Sequence, residues 1–115
     1  MKLITAIIKP IRVETVSKEL EKAGFTGLSV SEMQGRGAQA GRMEYYRGQA
    51  FAVEFRTKMC IELLVAEKDV DKAIDVIVAN ARTGDAGAIG DGKVWVTPVD
   101  RVVRVRTGEE GEAAI

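Results

Sequence analysis

Glycine, lysine and arginine are spaced in this chain as a polyphosphate would need them. Gly90-Asp91-Gly92-Lys93 offers glycines that let the backbone approach a ligand and aim N–H groups at phosphate oxygens, with a lysine as a point charge. Downstream, Arg104 and Arg106 stand at i and i+2 within Arg104-Val105-Arg106-Thr107-Gly108. On a strand that spacing puts both guanidinium groups on one face about 7 Å apart, roughly the span of two phosphates. Gly87-Ala88-Ile89-Gly90-Asp91-Gly92-Lys93 nominally fits the GxxxxGK of a P-loop, but Val94 follows where that motif needs a hydroxyl for magnesium. The order is also reversed, since this loop leaves a helix and enters a strand. The P-loop is rejected, and a phosphate-cradling loop of another kind survives. Taken alone, a glycine-rich loop among twelve glycines is an ordinary connection.

Other candidates are weaker singly. Lys58 and Glu62 each suit a solvated strand face as well as a site. Gln39, among loop glycines, can offer an amide oxygen to a hard cation held mainly by phosphates. Cys60 reads as a small packing residue, and Trp95 and the phenylalanines as core or subunit contact. Histidine is absent, which removes the commonest general base and metal ligand.

The elements that must carry these residues follow from periodicity. Leu3 to Lys9 is a nearly continuous apolar run, suiting a strand buried on both faces and ended by Pro10. Val13, Val16, Leu20 and Ala23 recur at helical spacing, with Gly24 as a stop. Leu28 and Val30 alternate in a second strand reaching about Gln34. Phe51, Val53 and Phe55 alternate likewise, and Met59, Ile61, Leu63 and Val65 continue a third strand. Val70, Ala73, Ile74, Ile77, Val78 and Ala81 form a helical stripe, with Asp69 as its N-cap and Gly84 just past its end. Val94 to Val96 and Val102 to Val105 complete the strands. The order β-α-β-β-α-β is that of a ferredoxin-like α+β sandwich.

In that fold both helices cover one face of the sheet. Cys60 and Leu64 lie on the face opposite Ile61 and Leu63, so something must cover the second face, and a partner subunit is the economical answer. The stretch from Gly35 to about Ala50 is far longer than a hairpin needs. Its glycines, its arginines (Arg36, Arg42, Arg47) and Tyr45-Tyr46 suit an arm that binds a partner.

Composition bounds the rest. A chain of 115 residues fits one domain, and 46% apolar residues with two prolines indicate a folded chain. Seventeen basic and seventeen acidic side chains cancel, so bulk attraction to nucleic acid or anionic membrane is not expected. No apolar run approaches the ~20 residues of a membrane span. Met1-Lys2-Leu3-Ile4 leads into a strand without a signal peptide's cleavage site, and a single cysteine excludes an internal disulfide. The expectation is a cytoplasmic protein.

Six segments in order resemble the PII nitrogen-regulatory signal proteins: Ala6-Ile7-Ile8-Lys9-Pro10, Gly35-Arg36-Gly37-Ala38-Gln39, Tyr46-Arg47-Gly48, Thr83-Gly84, Gly90-Asp91-Gly92-Lys93 and Arg104-Val105-Arg106-Thr107-Gly108-Glu109. The resemblance covers essentially the whole chain, 1–115, as a single domain with a partner-binding loop at about 36–56. It implies a homotrimeric sensor rather than an enzyme, with ATP and ADP competing for clefts between subunits. The positions it implies for nucleotide are Ser29, Gly37, Ala38, Gln39, Glu62, Leu64, Gly90, Asp91, Gly92, Lys93, Arg104 and Arg106. With ATP, Mg2+ would link the triphosphate to Gln39 and to 2-oxoglutarate. Lys58 would meet the distal carboxylate of 2-oxoglutarate, with Gly37, Ala40, Gly41 and Gly90 around it. Such a ligand shifts the loop between conformations through its differential affinity. One conformation docks on an ammonium transporter or a nitrogen-metabolism enzyme through Tyr46, Arg47 and Phe51, so membrane contact would come only through a partner.

The sequence departs from the family pattern in places. Phe51 and Gln49 stand where many members carry a uridylylated tyrosine or a phosphorylated serine. Ala38 and Ala40 replace an arginine and a lysine, Arg36 takes an often aromatic position, and Asp85-Ala86-Gly87 is an insertion. These changes keep open a specialised branch that reads ADP, AMP or another small anion such as bicarbonate without 2-oxoglutarate. A weak ATPase is a further alternative from another class, although no activated nucleophile stands out. RNA binding is disfavoured by balanced charge and the lack of an aromatic RNP pattern.

Overall fold

The computed structural model describes residues 1–37, 43–46, 49–52 and 55–115, with side chains described for 1–37 and 55–115. Strand β1 spans Lys2–Ile8 and leads through a 3-10 turn, Pro10–Arg12, into helix α1, Val13–Lys22. Strand β2 is Ser29–Gly35, and the excursion after it holds the short strands β3, Met43–Tyr46, and β4, Gln49–Ala52. Strand β5, Arg56–Val65, a 3-10 turn at Glu67–Asp69 and helix α2, Val70–Ala81, follow. Strand β6 is Gly92–Pro98, and a last 3-10 turn covers Gly111–Ala114. The main sheet has the order β2-β5-β1-β6 and is antiparallel throughout, which is the ferredoxin-like arrangement.

The central position of β1 explains its apolar run. It pairs with β5 on one side and β6 on the other, so every residue meets neighbours on both flanks. Alternate residues Ile4, Ala6 and Ile8 are fully or almost fully buried and pack with Val16 and Leu20 of α1 and Ala73 and Ile77 of α2. Ile61, Leu63 and Val65 of β5 continue that core. Burial of a side chain such as Ile77 contributes about 2 kcal/mol. The opposite face carries Leu3, Thr5 and Ile7 of β1, in register with Leu64, Glu62 and Cys60 on one side and Thr97, Trp95 and Lys93 on the other. Trp95 remains 42% exposed there.

Helix ends follow their residues. Gly24 takes φ +99, and the Phe25 N–H returns to the Leu20 carbonyl, so the chain leaves α1 without a strained side chain. Asp69 occupies the N-cap of α2, yet its side chain makes no capping bond; the preceding 3-10 turn replaces it.

Two expectations are corrected. The third strand does not begin at Phe51: Phe51 lies in β4, which pairs with β3 in a separate two-stranded sheet, from Met43↔Ala52 to Tyr46↔Gln49. Phe55 precedes β5, and Val53 lies outside the described residues. Val102 to Val105 is not a strand either, since only Val103 bridges, to Glu110. There the Arg104 N–H bonds the Glu109 carbonyl at 2.8 Å and the Gly108 N–H bonds the Arg104 carbonyl at 2.8 Å, closing a turn that consumes the groups a ladder would need. No described helix is long and apolar enough to cross a membrane.

Candidate functional site

Register brings distant basic residues to one end of the sheet. Gly35 is opposite Arg56, Met33 opposite Lys58, and Ile7 opposite both Cys60 and Lys93. The result is a cavity of about 440 Å³ between the end of β2 (Gly35, Arg36, Gly37), the start of β5 (Arg56, Lys58) and the loop entering β6 (Gly90, Gly92, Lys93), floored by Ile7 and Trp95. Its charged lining is cationic, from Arg36, Arg56, Lys58 and Lys93, and no described carboxylate lines it.

Lys58 is the group most altered by this setting. Its ammonium donates to the Gly90 carbonyl at 2.6 Å. Burial, and then the neighbouring charges of Lys9 and Arg56, hold its pKa below the ordinary lysine value, while Asp91 opposes them. An anion entering the cavity would relieve that repulsion.

The loop between α2 and β6 is built around Asp91. Its Oδ1 accepts from the Thr83 hydroxyl at 2.6 Å and pairs with Lys9 Nζ at 3.2 Å. Its Oδ2 accepts the backbone N–H groups of Thr83 at 3.0 Å and Ala88 at 2.8 Å. Those hydrogen bonds, Thr83's foremost, hold the carboxyl well below the usual carboxylate range. At Gly92, φ is +108 and an added Cβ would overlap the Ile7 carbonyl oxygen, so only glycine lets the loop lie directly on β1.

The structure thus brings Gly37, Lys58, Gly90, Gly92 and Lys93 around one cavity. Asp91 instead lines a smaller hollow against α2, together with Ile77, Val78 and Arg82. Ser29, Glu62 and Leu64 gather at the other end of the open face, Ser29 directly opposite Glu62. They line a second cavity of about 720 Å³ with Leu3, Phe25, Leu28 and the C-terminal Glu112, Ala114 and Ile115. Arg104 and Arg106 line neither cavity. The shared strand face expected of them is absent: Arg106 sits in an exposed turn, and Arg104 is engaged by Glu109 Oε1 at 2.8 Å and the Ala113 carbonyl at 2.8 Å. Ala38, Gln39, Ala40, Gly41 and Arg47 lie outside the described residues, and Tyr46 and Phe51 are described only as backbone of β3 and β4.

Sequence reasoning missed Arg56, Ile7 and Trp95 as cavity residues, and Thr83 and Lys9 as partners of Asp91. Pairing β2 with β5 would have signalled Arg56, and the i, i+2 spacing of Lys93 and Trp95 would have signalled the floor.

Fold and cavity together define a class: a ferredoxin-like α+β domain with a basic, glycine-edged crevice at one end of its sheet. A family profile described as Nitrogen regulatory protein P-II matches residues 1–109. The chain is 48% identical over 115 residues to a Nitrogen regulatory protein P-II of Synechocystis sp., with 100% of both chains covered. It is 45% identical over 115 residues to that of Microchaete diplosiphon, again with 100% of both covered. To Nitrogen regulatory protein P-II 2 of Methanothermobacter thermautotrophicus it is 47% identical over 100% of this chain and 97% of that one. The chain belongs to the P-II nitrogen regulatory protein family, whose role is regulatory signalling rather than catalysis.

Proposed function

We propose that this chain is a cytoplasmic, homotrimeric sensor of ATP, ADP and 2-oxoglutarate that regulates nitrogen-metabolism partners through the loop at about 36–56. The observation that carries the reading is the cavity in which Arg36, Arg56, Lys58 and Lys93 converge around glycine backbone. This donor set fits an anion: guanidinium and ammonium groups surround the space, and the described residues hold no cluster of three His, Cys, Asp or Glu for a bare metal ion. Mg2+ would therefore arrive held by phosphate oxygens, with Gln39 as its protein ligand, and would supply a point at which a 2-oxo acid can chelate. Gly90, Gly92 and Lys93 meet the phosphates, and Lys58 meets the distal carboxylate. Ser29, Glu62 and Leu64, grouped at the opposite end of the open face, reach a nucleotide held in a neighbouring subunit's cavity. The half-exposed Trp95, on the same open sheet face as Leu3 and Ile7, supports a face covered by other copies of the chain. Tyr46, Arg47 and Phe51 supply partner contacts, an ammonium transporter or an enzyme.

Calorimetric titration with ADP and ATP tests the reading. Saturable binding is expected, with Lys93→Gln weakening it about tenfold or more. A wild-type chain that binds neither nucleotide overturns the function, and an unaffected variant overturns the site. Ala38 and Ala40 leave fewer charges for a terminal phosphate, which favours a second reading: a branch tuned to ADP or AMP, indifferent to 2-oxoglutarate.

A further inference from the structure

We propose that Thr83 and Lys9 are positioning residues for anion binding, acting through Asp91 to hold the loop after α2 with Gly90 and Gly92 turned to the cavity. The proposal rests on the reading of that cavity as an anion site. Both oxygens of Asp91 are committed within the protein, to Thr83, Ala88 and Lys9. Asp91 does not line the cationic cavity, and its carboxylate is bonded to Thr83, Ala88 and Lys9, so its effect on a bound anion is indirect. Its side chain is also only 18% exposed, and Lys9 reaches Thr83 Oγ1 at 3.4 Å as well, so the three side chains form one cluster.

That cluster governs the backbone. The Asp91 N–H bonds the Ala88 carbonyl at 3.1 Å while the Asp91 carboxylate takes the Ala88 N–H, which closes Ala88 to Asp91 as a reciprocal turn. Thr83, at the far side of the Asp85-Ala86-Gly87 stretch, is tied to the same carboxylate by both its N–H and its hydroxyl. The loop is therefore pinched at its two ends by one side chain. From the other side, Lys58 grips the Gly90 carbonyl and Gly92 lies on Ile7. A loop fixed at these points carries a smaller ordering cost on binding.

Titration with Mg2+ and ATP on the full chain tests the inference with a near-isosteric variant and its conservative counterpart. Thr83→Val removes the hydroxyl and is expected to weaken binding about tenfold, whereas Thr83→Ser keeps it and stays within about twofold of wild type. Lys9→Met, which leaves the bonds from Thr83 to Asp91 in place, is expected to show a smaller loss of the same sign and serves where Thr83→Val does not fold. Wild-type affinity in both Thr83→Val and Lys9→Met overturns the proposal. So does an equal loss in Thr83→Ser and Thr83→Val, because the hydroxyl then plays no part. Failure of the wild-type chain to bind ATP instead removes the underlying anion-site reading.

Discussion

Lys58 and Asp91 carry opposite charges and opposite lessons about the cavity. Burial beside Lys9 and Arg56 disfavours the charged form of Lys58 in the folded chain. Between its lowered value and the ordinary one, the unfolded chain binds the extra proton, so this group makes stability rise with pH across that window. A bound anion restores the charge. Anion affinity is therefore expected to be flat at lower pH and to fall as pH rises through the lowered Lys58 value, with proton uptake on binding. Titrations from roughly pH 7 to pH 10 should show that slope in the wild type and its loss in Lys58→Met. Identical slopes in the two proteins would show that another group is responsible. Asp91 runs the other way: its lowered value favours the folded state above the ordinary carboxylate range and is lost only as pH falls through it. The run Gly90-Asp91-Gly92-Lys93 stands out in the sequence, and Gly90, Gly92 and Lys93 line the cavity. The Asp91 cluster was not, because Lys9, Thr83 and Asp91 converge only when β1, the end of α2 and the entry to β6 are brought together.

At the scale of elements, burial rather than local capping holds the helices. Ile77 of α2 is fully buried against β1, while Asp69 at the head of the same helix makes no side-chain capping bond. Ile77→Ala is expected to cost about 2–5 kcal/mol, and Asp69→Ala less than the ~1 kcal/mol usual for a capping aspartate. Urea unfolding of both variants measures the contrast; comparable losses would mean that Asp69 does more than its contacts indicate. The α2 stripe from Val70 to Ala81 was legible because one apolar face meets the sheet, and periodicity reports that face directly. The apparent strand at Val102 to Val105 misled for the same reason: alternation of valine and arginine reads as a pleat, yet Val105 is 99% exposed and the chain turns at Gly108, with φ +75. Phe51 misled because alternation cannot say which partner a strand will choose, and β4 pairs with β3 rather than extending β5.

The whole molecule has one sheet face sealed by helices and another that ends in two crevices, one basic and one beside the C-terminus. Ser29, Glu62 and Leu64 stand apart from Gly90 and Lys93 within a single chain, so a ligand touching both groups needs a second copy to complete its site. In the proposed reading, assembly and sensing are therefore one property, and the response of the loop would depend on what fills the crevice. The most direct test is calorimetric titration of 2-oxoglutarate into the protein alone, with ADP, and with Mg2+ and ATP. The account predicts saturable binding only in the last case. Binding of equal strength without nucleotide, or no binding of 2-oxoglutarate and ATP under any of these conditions, would contradict it.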